Sequence, residues 1–204
     1  MNRLPVSCCY ILKNEEEFLA DSLGSVVDHV EEIIICDSGS TDRSLEIAEA
    51  FRARVPQLQI LHRQWTDDYS AARNFVAEKA KQPWILFVDG DEWLQPEAWT
   101  QIEICLQKDK IGCFSFLQKN YSLDETLDGA QPVVGFVPPP ISHRREPLVF
   151  TTNHMERLYR NNLGLKYRGV IHESLILSCQ KLGIKIEETS ITLHHFGRLK
   201  KDVG

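Results

Sequence analysis

Apolar runs alternate with amphipathic stretches along the first half of the chain, and the two periods predict different elements. Residues 6–12 form a nearly continuous apolar run, the mark of a strand buried on both faces. Asn14 then stands three residues before Glu17, a capping-box spacing that predicts a helix through about residue 27. Residues 32–36 are a second short apolar run. The turn-forming stretch DSGSTD follows, with Ser40 or Thr41 expected to cap a helix ending near Phe51. Residues 58–62 read as a third strand and 70–81 as a third helix, stopped by Pro83. Residues 84–88 read as a fourth strand, and Pro96 opens a helix to about residue 107.

Strand followed by helix, repeated in this way, predicts an α/β fold with a parallel sheet and helices on both faces. Ligands of such sheets sit beyond the carboxyl ends of the strands. Two acidic loops, at Asp37 and at Asp89, are expected at that edge. After Phe116 the alternation stops. Residues 118–150, with a run of prolines at 138–140 and the basic His143, Arg144 and Arg145, read as a long loop. Such a loop suits a lid over the acceptor. From Arg157 strand patterns return in RLYR, YRGVIHE, IKIEE and ITLHHF, so the second half is expected to be mixed.

Composition changes this picture little. At 204 residues the chain suits one domain, 1–204, divided into a first half (1–117) and a second half (118–204). A formal net charge of -6 argues against nonspecific nucleic-acid binding. No run approaches the roughly 20 apolar residues of a membrane helix, and no signal peptide is evident. A cytoplasmic protein is expected, with peripheral contact at the inner face of a membrane left open. Six cysteines, without a CxxC, read as buried free thiols.

The candidate chemistry centres on FVDGDEW. Asp89 and Asp91 follow a buried strand as i and i+2, and paired carboxylates there suit an oxygen-seeking cation such as Mg²⁺ or Mn²⁺. The plainer reading is that they cap the next helix. DSGSTD offers backbone amides and hydroxyls to an anion or a ribose, and equally forms an ordinary capped turn. It matches neither GxGxxG nor GK[ST]. Arg73, in WTDDYSAARN, is a candidate for bidentate contact with a diphosphate, against the plainer reading of a surface ion pair. In GVIHES, Glu173 or His172 can act as a general base. In LHHFG, His195 can complete a metal site.

Taken in order, KNEEEFLADSLGSV, EEIIICDSGSTDRSLEIA, WTDDYSAARN, WILFVDGDEW, RLYR, YRGVIHE and HHFG resemble family 2 glycosyltransferases. The resemblance is to the bacterial branch often fused to tetratricopeptide repeats, and to lipopolysaccharide-core glycosyltransferases. It implies a GT-A fold: a Rossmann-like, mostly parallel sheet for the nucleotide sugar joined to a smaller mixed acceptor region. It also implies a nucleotide-sugar donor, UDP-linked first, with Mn²⁺ or Mg²⁺ and single-displacement inversion. The acceptor is open among glycan, lipid-linked and protein. In that scheme Lys13, Asn14, Glu15, Asp37 and Ser38 line the nucleoside pocket, and Arg73 and Asp89 face the ribose, diphosphate or sugar. Asp91 binds the metal, His195 is a second ligand or a diphosphate contact, and Glu173, before His172, is the base.

The chain departs from the pattern at Ser38, where many relatives carry a second aspartate. It departs also at Gly90, where alanine is common, a mild change that removes a methyl near the donor. Three other readings stand beside this one. A phosphatase of the haloacid dehalogenase type would use the DxD as nucleophile and acid, but Trp93 stands where that class favours Thr or Val. A GT-A domain without turnover would be expected to lack Asp91 or Glu173, which are present. A nucleotidyltransferase would want a glycine-rich basic loop where this chain has LKNEEEF.

Overall fold

The apolar runs become the strands of one sheet in the computed structural model, which describes residues 2–55, 57–135, 138 and 147–200. In chain order, β1 (Leu4–Leu12), α1 (Leu19–Val26), β2 (Val30–Asp37), α2 (Ser44–Ala50), β3 (Leu58–His62), α3 (Tyr69–Ala77) and β4 (Trp84–Phe87) give the expected alternation. β1 to β4 are parallel neighbours in the order β3-β2-β1-β4. Their side chains explain the continuous apolar runs. Val6, Cys8, Tyr10, Ile33, Ile35 and Leu86 face α1, α2 and α4 (Pro96–Leu106) in one buried cluster. Cys9, Ile34, Cys36, Ile85 and Phe87 face α3 and α5 (Ile176–Leu182) in another. Period-two strands buried on both faces and helices on both sides are the predicted architecture. All six cysteines are buried and free.

The starts of α1 and α2 differ from the sequence reading, because Asn14, Ser40 and Thr41, expected to cap them, bond across two loops instead. Asn14 adopts a left-handed backbone, φ 58°, and its Oδ1 accepts the Thr41 N–H at 2.8 Å. α1 therefore starts at Leu19, after a turn. Ser40 and Thr41 do not cap α2; Asp42 accepts from the Ser44 amide and hydroxyl at 2.9 and 2.6 Å. α3 begins one residue early, capped by Asp68 accepting the Ala71 N–H, and ends at Ala77 rather than at residue 81.

The second half extends the same sheet. β4 pairs antiparallel with β8 (Val149–Arg160), which pairs antiparallel with β6 (Cys113–Ser122). β6 runs parallel to β9 (Ile186–His195), and β9 pairs antiparallel with β5 (Glu92–Leu94), a short strand directly after the acidic loop. A two-residue β7 (Gln131–Pro132) joins the edge of β8. The division at residue 117 thus falls inside β6. The expected loop over 118–150 begins only after Ser122, and much of the candidate lid (136–137 and 139–146) lies outside the described residues.

Two strand expectations are corrected. IKIEE and ITLHHF are one strand, β9. YRGVIHE is not a strand but a tight loop closed by two backbone hydrogen bonds between Arg168 and Ser174, each 3.0 Å. Its apolar residues misled the reading: Val170 and Ile171 are 56% and 69% exposed. Gly169, at φ 103°, makes the turn possible, since a Cβ there would lie 2.7 Å from the His172 carbonyl oxygen. No helix among the described residues is long and apolar enough to cross a membrane.

Candidate active site

Parallel strands end together, so the loops after β1, β2 and β4 meet at one edge, with Leu12 in register with Asp37. A cavity of about 380 Å³ opens there, lined by Lys13, Glu15, Ser38, Arg73, Asp89, Asp91 and His195 among others. Seven of the residues named from the sequence therefore share one wall system. Trp65 and Tyr69, also lining it, pack edge to face with centroids 4.7 Å apart. Asp37 lies just behind: its carboxylate accepts the Gly39 and Ser40 N–H groups at 3.1 Å each, fixing the turn that presents Ser38. Asn14 holds the same turn from outside the cavity.

The two aspartates are held in different ways. Arg73 Nη1 lies 3.0 Å from Asp89 Oδ1, and the Nη2 groups of Arg73 and Arg157 each donate to Asp89 Oδ2 at 3.1 Å. Burial opposes charge on Asp89, but these guanidinium groups outweigh it and hold the carboxyl well below its ordinary range. Arg73 is itself buried, its guanidinium over the rings of Phe87 and Tyr167 at 5.1 and 5.6 Å. The fork expected to grip a diphosphate is thus turned to a carboxylate, and its Nε donates to Glu173 Oε1 at 2.8 Å. An aspartate clamped by two arginines is an anchor, which is poorly suited to the nucleophile role required by the phosphatase alternative.

Asp91 is reached from the C-terminal side. β5 pairs Glu92 with His195, and the Phe196 N–H donates to the Asp91 carbonyl at 2.9 Å. His195 Nε2 comes to 3.5 Å from Asp91 Oδ2, while Nδ1 donates to Asn120 Oδ1 at 2.7 Å. That bond fixes the ring and leaves Nε2 facing the cavity. Burial lowers the His195 pKa, but the adjacent Asp91 carboxylate prevails and raises it to about 9. Lys200 Nζ lies 2.6 Å from Asp91 Oδ2 and 2.8 Å from Glu15 Oε1. Burial, with the charge of Asp91 added, pushes Glu15 up to about 8 despite this ammonium.

Asp91 and His195 suit a divalent cation. Among the described residues no three His, Cys, Asp or Glu side chains converge as a ready metal cage. Mg²⁺ and Mn²⁺ sites that share substrate phosphates need no such cage; one or two protein ligands suffice. The buried Glu15 Oε2 has no hydrogen-bond partner among the described residues, an oxygen left over beside the pair. Close glycine packing shapes the same spot. A Cβ on Gly197 would lie 2.8 Å from His195 Nε2 and 2.9 Å from Asp91 Oδ2. Gly197→Ala is therefore expected to weaken Mn²⁺ binding about tenfold or more, with little change in melting temperature. An unaltered Mn²⁺ titration, read by the electron spin resonance of free Mn²⁺, would rule this out. At Gly90 an added methyl would meet Glu15 Cγ at 2.7 Å and Leu12 Cδ2 at 2.8 Å, both in residues that line the cavity.

Glu173 and His172 line a second cavity, of about 270 Å³, with Glu156, Tyr167, Ile171 and Ile176. Arg73 lines both cavities and separates them. Sequence reasoning missed Arg157, Asn120, Trp65, Tyr69 and Lys200 as site residues. Trp65 and Tyr69 stood inside WTDDYSAARN and Arg157 inside RLYR, without being singled out there. Nothing local distinguishes Asn120 and Lys200, whose roles come from the pairing of β6 with β9 and from the turn after β9.

The sequence model described as Glycosyl transferase family 2 matches residues 7–159. A tetratricopeptide repeat-containing protein of Synechococcus elongatus is 34% identical over 168 residues, covering 82% of this chain and 34% of that protein. The chain thus spans about a third of the length of such curated relatives. Among solved structures, S. aureus TarS 1-349 in complex with UDP-GlcNAc superimposes with a TM-score of 0.66 at 17% identity, over 94% of this chain and 58% of that one. The mannosyltransferase PcManGT of Pyrobaculum calidifontis, in complex with GDP-Man and Mn²⁺, gives 0.63 at 12% identity, over 100% and 59%. These likenesses identify the GT-A fold.

Proposed function

This chain belongs to glycosyl transferase family 2, and on that premise we propose that it transfers a sugar, with inversion, from a nucleotide-sugar donor to an acceptor entering beside Glu173. The observation that carries the reading is the pair of cavities meeting at Arg73, with Asp89 and Asp91 on one side and Glu173 on the other. UDP and GDP sugars bound to proteins of this fold, one of them with Mn²⁺, support the donor class and the cation. UDP-sugars are the first donors to test.

In this reading Trp65 and Tyr69 offer ring surface to the base, and Lys13 and Ser38 border the nucleoside. Asp91 and His195 would hold the divalent ion, which when bound neutralises charge developing on the diphosphate. Asp89, fixed by Arg73 and Arg157, presents a rigid carboxylate to ribose or sugar hydroxyls. The acceptor nucleophile attacks the anomeric carbon from the side opposite the diphosphate. The bond to the diphosphate breaks, the new glycosidic bond forms, and Glu173 takes the acceptor's proton. Arg73 holds Glu173 in place through Nε. His172, exposed on the same loop, is the second candidate for the base.

A thermal-shift screen of UDP-, GDP- and dTDP-sugars, each with and without Mn²⁺, tests the donor reading. A ligand at a hundred times its Kd stabilises by about 2.7 kcal/mol. No shift with any of them would overturn it. Glu173→Gln is expected to lower turnover about a hundredfold or more while leaving the donor shift intact. Unchanged turnover would transfer the base role to His172.

A further inference from the structure

One cation of the donor cavity belongs to no motif. Lys200 comes five residues after His195, and its position is fixed by packing. Phe196 and Leu199 are buried with Phe18 and Tyr121. The Leu199 N–H donates to the Phe196 carbonyl at 2.8 Å, closing a 3₁₀ turn over the cavity. The flexible Lys200 stem, 32% exposed, then brings Nζ between Asp91 Oδ2 and Glu15 Oε1. An ammonium contacting two carboxylates at 2.6 and 2.8 Å fills the place of a small cation.

Charge balance says why it is there. Glu15, Asp89, Asp91, Glu92 and Glu173 cluster in this region, and Arg73 and Arg157 are committed to Asp89, Glu92 and Glu173. Glu15 and Asp91 share Lys200, and Asp91 also faces the His195 ring at 3.5 Å. A divalent ion on Asp91 would stand within a few ångströms of that ammonium, so the two cannot keep the same carboxylate oxygen. A lysine displaced from Asp91 remains tethered at the mouth of a cavity that, on the reading above, receives a diphosphate.

We propose that Lys200 is a resident cation of the donor site: it holds Asp91 until a divalent ion displaces it, and then binds the donor's diphosphate. The second half rests on the donor reading; the first does not. The test uses Lys200→Gln and Lys200→Arg, checked for unchanged melting, and two probes. Mn²⁺ alone is titrated by electron spin resonance. UDP is titrated by calorimetry at saturating Mn²⁺. Lys200→Gln is expected to bind Mn²⁺ about tenfold tighter than the native chain, and Lys200→Arg no tighter. Equal or weaker Mn²⁺ binding by Lys200→Gln, or none by any of the proteins, overturns the displacement. With Mn²⁺ saturating, Lys200→Gln is expected to bind UDP about tenfold more weakly, with Lys200→Arg recovering most of the loss. Unchanged UDP affinity overturns the diphosphate contact. If the native chain binds Mn²⁺ but no nucleotide, the donor reading fails while the Mn²⁺ comparison still decides the displacement.

Discussion

Asp91→Ala is expected to reduce sugar transfer about a thousandfold or more and to abolish the Mn²⁺-dependent part of any donor-induced thermal shift. The side chain is buried at the cavity floor, its Oδ2 near both His195 Nε2 and Lys200 Nζ. Burial opposes its ionisation, but His195 and Lys200 prevail and hold it well below the ordinary carboxylate range. That favours the charged form, which a divalent cation requires. The fold should survive, because the contact that ties the C-terminal turn here is the main-chain Asp91 carbonyl, which alanine keeps. Lys200 can also relax toward solvent. Asp109→Ala, at a fully exposed side chain, is the control. If Asp91→Ala retains native turnover and a Mn²⁺-dependent shift, the cation binds elsewhere.

Arg157→Met should have the largest effect on stability. The arginine is 2% exposed and bridges two acids, with Glu92 Oε1 at 2.6 Å and Asp89 Oδ2 at 3.1 Å. Glu92 also accepts from Gln118 Nε2 at 2.5 Å and, through Oε2, from the Asp89 N–H at 2.8 Å. Burial pushes the Glu92 pKa up, and Arg157 is the chief counterweight. Removing one member of a buried pair leaves an uncompensated charge, which costs about 3–5 kcal/mol. In a domain of this size that lowers Tm by about 10 °C. Arg43→Met, an exposed arginine paired with an exposed Glu16 at 3.4 Å, should cost less than about 1 kcal/mol. Chemical denaturation of both variants gives the comparison. A loss under about 1 kcal/mol for Arg157→Met would show that Asp89 and Glu92 tolerate each other without the guanidinium. Activity should fall too, since Asp89 loses half of its clamp.

The first half of this fold was legible because each strand is buried on both faces and each helix on one. Those patterns are local, and a local period fixes an element without knowledge of its neighbours. The helix starts were misplaced for a nonlocal reason. Asn14 and Asp42 have the chemistry of caps, but Asn14 spends its acceptor on Thr41, 27 residues away. The false strand at 167–173 shows the limit of apolar pattern as evidence of burial: Val170 and Ile171 face solvent on a loop whose shape depends on Gly169.

The candidate site divides along the same line. The sequence alone determined that Asp89 and Asp91 follow a buried strand and that parallel strands bring the loops at Asp37 and Asp89 to one edge. These statements need only chain direction and side-chain period, whereas Lys13, Glu15 and Ser38 were assigned to the pocket by the family resemblance. Tertiary structure decided which cations meet which carboxylates. Arg157 reaches Asp89 because β8 pairs with β4. His195 reaches Asp91 because β9 pairs with β5, and Asn120 orients its ring because β6 pairs with β9. A one-residue slip in any of these registers would turn the side chain to the opposite face. Such registers are set by the packing of strands up to a hundred residues apart, and no short window of sequence contains them.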